Sequence, residues 1–140
     1  MIAGWGRPGR AKMVGMTDPA DGITPALREL VSADVVAFGG VGLMSRVLPV
    51  TEAYRTFDRA IARDGVALRP HVDWLLTHAT PAGKVYAAAL MQSLDPAAGR
   101  AAWQSLAKER AEITTFVGCV RNRTSLAEYA GDRLAGLASA

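Results

Sequence analysis

The sequence predicts an all-α domain of six or seven short helices, arranged as a helical stack or a compact bundle. Three observations carry that prediction. Thr80-Pro81 and Asp95-Pro96 each open an alanine-rich amphipathic stretch, with a side-chain oxygen placed to accept from first-turn N–H groups and a proline where its missing N–H costs nothing. Ser125-Leu126-Ala127-Glu128 fits a capping box before a third such stretch. Half of the residues are hydrophobic but only 6% are aromatic, and alanine supplies much of the rest. That balance suits closely packed helices better than a β-sandwich.

Taken in order, Thr24-Pro25 repeats the opening signal, and Ala26, Leu27, Leu30 and Val31 give an apolar face at helical spacing. Ala33 to Met44 is harder to read. Its β-branched residues suit a strand, but a strand without a partner is unstable. The expectation is therefore a buried helix through Phe38 that ends at Gly39-Gly40. Gly39 to Gly42 could also present N–H groups to an anion, but it lacks the Gly-Lys-Ser/Thr of a phosphate loop and the spacing of a dinucleotide fingerprint. Thr51 is a plausible cap for a helix closing at Gly65, whose stripe is Ala53, Tyr54, Phe57, Ala60 and Ile61. Val66 to Ala79 reads as the next helix, with Val72, Trp74, Leu75 and Leu76 inward and Pro70 in its first turn or at a kink. Two helices follow, Thr80 to Leu94 and Asp95 to Lys108, joined so tightly that they form a hairpin. Val85, Ala89, Leu90, Ala102, Trp103 and Leu106 are its expected core. Glu112 to Val120 is ambiguous, because Ile113 to Val117 has strand-like chemistry. The last helix runs from Ser125 toward Ala138, burying Leu126, Ala130, Leu134 and Leu137.

The segment Ala82-Gly83-Lys84-Val85-Tyr86-Ala87-Ala88-Ala89-Leu90, the Asp95-Pro96 turn and Ala101-Ala102-Trp103-Gln104-Ser105-Leu106 together resemble a HEAT-type helical repeat. The resemblance covers residues 80–108 and, loosely, residues 51–79. It implies an α-solenoid scaffold that binds other macromolecules, and it implies no catalytic residue or cofactor.

The domain organisation expected is a basic arm over residues 1–21, either disordered or an extended start before Met16, followed by one helical domain over residues 22–140. The formal charge is +3, yet Arg7, Arg10 and Lys12 lie in the arm. Without them, basic and acidic residues balance at 13 each. The domain itself therefore offers no basic face, which weighs against nucleic acid as a partner. No stretch reaches the roughly 20 apolar residues needed to span a bilayer. One cysteine excludes an internal disulfide and fits a reducing, cytoplasmic compartment. The Ala, Gly and Arg bias is typical of GC-rich coding and suggests a bacterium.

These features favour a protein–protein interaction module of the adaptor, accessory or immunity type, with no catalytic activity. Its candidate binding residues are Tyr54, Arg55, Arg59, Arg100, Arg121 and Arg123, an aromatic hydroxyl and exposed guanidinium groups of the kind enriched at interfaces. The alternative is a small hydrolase or transferase with Cys119 as nucleophile and His71 or His78 as its base. The two histidines lie about 10.5 Å apart along one helix, too far to share a metal ion. With no zinc-like spacing elsewhere, no metal or cofactor is expected.

Overall fold

A computed structural model describes residues 23–139, so the expectation for the basic arm lies outside the described residues. The helices are α1 (Ile23–Val31), α2 (Pro49–His78), α3 (Pro81–Leu94), α4 (Pro96–Leu106) and α5 (Leu126–Ser139). Between α4 and α5 come two strands, β1 (Glu112–Val117) and β2 (Val120–Ser125), paired antiparallel. The all-α expectation of six or seven helices is therefore corrected to five helices and a two-stranded sheet.

Local capping set the helix starts at three places. Thr80 Oγ1 accepts from Gly83 N at 3.1 Å, and Asp95 Oδ1 accepts from Ala97 N at 3.1 Å and Ala98 N at 3.3 Å. Ser125 Oγ accepts from Glu128 N at 3.0 Å, one half of the expected capping box; Glu128 turns its carboxylate to the Thr124 hydroxyl instead. Thr51 departs from its expected role. Helix α2 already begins at Pro49, and Thr51 is fully buried inside it, donating to the Ala37 carbonyl. The α2 backbone leaves helical angles at Asp64 (φ −155°, ψ 73°), and Asp64 Oδ1 then accepts from Ala67 N at 3.3 Å. That break falls beside the expected boundary at Gly65.

Helix α3 is the centre of the molecule. From Val85 to Met91 every residue is buried, the pattern of a helix enclosed on all sides. It packs against α1, α2, α4, α5 and β1, and its alanines let those neighbours approach closely. At Gly83 a Cβ would sit 2.3 Å from the Leu30 carbonyl oxygen, so only glycine permits this approach of α1. The expected hairpin core is buried throughout, Trp103 completely. Trp74, expected inside, is instead 41% exposed and stacks on His78 with ring centroids 4.7 Å apart. Strands follow α4, so no second helical hairpin extends the α3–α4 pair.

The segment after α1 is not a helix. Val36 N donates to Thr114 O, and Phe116 N donates to Val36 O, both at 2.8 Å, which lays the chain parallel to β1 around Thr115. Each ambiguous segment of the sequence is the other's partner. Further along, Val41 and Arg46 close a tight loop, and Gly42 N donates to Gly118 O at 3.0 Å. This fastens the loop to the β1–β2 turn, where Gly118 holds φ +59°, a conformation that suits glycine.

Candidate functional site

Two places combine polar groups with accessible apolar surface. The first is an aromatic cluster where α2, α3, α4, α5 and the Val35–Phe38 segment meet. Phe38 packs on Tyr54 edge to face at 5.0 Å and on Tyr86 at 5.1 Å, and Tyr54 lies 5.7 Å from Tyr86. Trp103 and Tyr129 are 6.1 Å apart on the other side. The Arg133 guanidinium lies across this assembly, 4.8 Å from the Trp103 centroid, 5.4 Å from Phe38 and 6.0 Å from Tyr129. Ring faces are electron-rich and attract a cation placed over them.

Tyr86 is the fixed member. Its hydroxyl accepts from Ala37 N at 2.7 Å and donates to Ala37 O at 3.1 Å. Burial pushes its pKa up to about 12, against the opposing hydrogen bonds from Ala37 and Thr51. Burial also raises Tyr54 and Tyr129, while the positive charge of Arg133 works in the other direction on both. All three phenols stay protonated at neutral pH. Trp103 Nε1 donates to Gln92 Oε1 at 3.0 Å, which sets the ring under the guanidinium. Beside the cluster is a cavity of about 240 Å³ whose walls include Val36, Phe38, Phe116, Val117 and Tyr129.

The second place is the tip of the sheet. Leu43 is 94% exposed, Met44 89%, Val117 74% and Val120 56%. The hydrogen bond from Gly42 to Gly118 brings the 41–46 loop against the strand turn, so these four side chains share one end of the molecule. Strand β2 has β1 on one side and, among the described residues, no paired strand on the other. Its Arg121 and Arg123 are exposed, and Arg123 pairs with Glu112 of β1.

The sequence-selected residues divide among these regions. Tyr54 belongs to the aromatic cluster, and Arg121 and Arg123 belong to the open strand. Arg59 is exposed on α2, 3.9 Å from Glu52. Arg55 is half-buried on the same helix, and Arg100 is exposed on α4. Among the described residues no ion pair or hydrogen bond joins these three groups. Cys119 is exposed in the strand turn, while His71 and His78 lie on α2, His78 with Nδ1 3.0 Å from the Trp74 carbonyl oxygen. No hydrogen bond among the described residues links either histidine to the thiol. Nor do the described residues contain a His, Cys, Asp or Glu group able to hold a metal ion.

Sequence reasoning passed over Arg133 and Phe38. Arg133 follows Tyr129 by one helical turn, so the pair shares a face, and that spacing was the only available signal. Phe38 carried none, because its partners come from distant parts of the chain. No helix among the described residues is long and apolar enough to cross a membrane. The chain matches no protein-family model, no curated protein and no solved structure.

Proposed function

We propose that this protein is a cytoplasmic protein–protein interaction module that takes an extended segment of a partner onto the outer edge of β2. The observation that supports this reading is the open strand edge beside four exposed apolar side chains, Leu43, Met44, Val117 and Val120. An unpaired edge offers a row of N–H and C=O groups to an added strand, and neighbouring side chains select the sequence that joins it. Arg121 and Arg123 would be matched by acidic residues on the partner. The helical scaffold behind the sheet, with its HEAT-like α3–α4 hairpin, holds that edge in place. The lone cysteine fits the reducing compartment.

Cys119 gives the test a natural handle, since it is exposed between the two strands. A photoactivatable crosslinker attached there should capture a discrete partner from native lysate. The double variant Leu43→Asp/Met44→Asp should lose the adduct while melting at the same temperature as the parent. An adduct that survives this change would remove the tip of the sheet as the interaction surface.

A further inference from the structure

Arg133 is a half-buried cation on α5. Among the described residues no carboxylate lies within ion-pair distance of it, and its Nε is shielded from solvent with no hydrogen-bond partner. The rings of Trp103, Phe38 and Tyr129 offset part of its charge, but they supply no directed acceptor. A planar guanidinium carries five donors, and the group that suits them best is a carboxylate or phosphate.

Donors of a second kind stand close by. Tyr54 packs edge to face on Phe38, and Tyr129 packs on Trp103, the two rings nearest the guanidinium. Neither tyrosine hydroxyl is hydrogen-bonded to a described residue, whereas Tyr86 is fully engaged with Ala37. The guanidinium lies 6.0 Å from the Tyr129 ring, so an anion at Arg133 would lie near that neutral O–H donor.

Space adjoins two of the rings that the guanidinium touches. Phe38 and Tyr129 are walls of the 240 Å³ cavity as well as contacts of the guanidinium. The remaining walls are the apolar side chains of Val36, Phe116 and Val117, together with Thr115, Gly39 and Gly118. A cavity of about 150 Å³ accepts benzene, so this one can hold a single ring or a chain of about six carbons. An inorganic anion would satisfy Arg133 and leave the cavity empty.

We propose that Arg133 and Tyr129 bind the carboxylate of a small amphipathic acid, whose aromatic ring or short acyl chain occupies the cavity between Phe38, Tyr129 and Phe116. This site is separate from the β2 edge and stands whether or not a partner protein docks there.

Titration calorimetry on the full chain tests it with benzoate and hexanoate as probes, benzamide, hexanamide and acetate as controls. At least one of the two acids should bind saturably. Its neutral amide and acetate should bind at least about tenfold more weakly, because one lacks the charge and the other the apolar body. Arg133→Gln should weaken the acid by about tenfold or more, and the exposed-residue control Arg110→Gln should not. If Arg133→Gln fails to fold, the variant Tyr129→Phe takes its place and should weaken binding too. Absence of saturable binding by both acids up to about 10 mM overturns the proposal. So does an amide or acetate that binds as well as the acid, or a folded variant that binds as well as the parent.

Discussion

Tyr86→Phe is the sharpest probe of how the helices hold the sheet. The substitution keeps the buried ring and removes only the hydroxyl, which accepts from Ala37 N and donates to Ala37 O. The Ala37 carbonyl retains the Thr51 hydroxyl, but the Ala37 N–H is left buried without an acceptor. An orphaned buried donor costs about 1–3 kcal/mol. For a domain with a total stability of about 5–15 kcal/mol, the melting temperature should fall by about 4–12 °C. A second signature lies at alkaline pH. Burial raises the phenol from its ordinary 10.0 to about 12 in the folded chain. Between those values the unfolded chain loses the proton while the folded chain keeps it, so stability declines as pH rises. The contribution is complete below about pH 10 and is lost by about pH 12, about 2–3 kcal/mol in all. Tyr54 and Tyr129 shift in the same direction, so the parent and variant must be compared. Urea denaturation followed by circular dichroism from pH 8 to 12 measures both effects. The variant should start lower and fall less steeply. Equal stability at pH 8 would refute the assignment of the Tyr86 hydroxyl to Ala37, and equal slopes above pH 10 would refute the burial-raised pKa of its phenol.

Trp103→Ala should destabilise the chain by about 3–5 kcal/mol in the same assay, since the ring is fully buried, bonded to Gln92 and stacked under Arg133; an unchanged melting temperature would place the ring outside the core. Asp95→Ala should lower the melting temperature by removing the caps on Ala97 and Ala98 and the 3.3 Å contact with Arg69. The Ala98 N–H above all, with Arg69, holds this exposed carboxyl below its usual pKa, so its contribution is present above the ordinary carboxylate range and fades as pH falls through the lowered value. The gap between parent and variant should therefore close in acid.

Local chemistry was enough to write much of this fold in advance. Thr80, Asp95 and Ser125 act on N–H groups two or three residues away, so their roles need no knowledge of the rest of the chain. The buried face of the α3–α4 hairpin follows from helical period in the same way. The failures share one cause, which is distance along the chain. Val35–Phe38 could be a strand only if Thr114–Phe116 lay beside it, and neither segment announces the other. Thr51 looked like a cap because its real acceptor, the Ala37 carbonyl, reaches it only after α1, α2 and α3 have packed. Trp74 looked like core because helical period does not say how far a neighbouring surface extends. The candidate binding sites were the least legible part. Tyr54, Arg121 and Arg123 are visible as residue types, but the anion site needs Phe38, Trp103, Tyr129 and Arg133 to converge from three separate stretches of chain. The sequence alone determined where most helices start and which hairpin forms the core, because capping and periodicity are short-range. Only the tertiary structure decided the parallel pairing of residue 36 with β1, the open edge of β2 and the cage around Arg133, because each depends on contacts whose partners are brought together by folding itself.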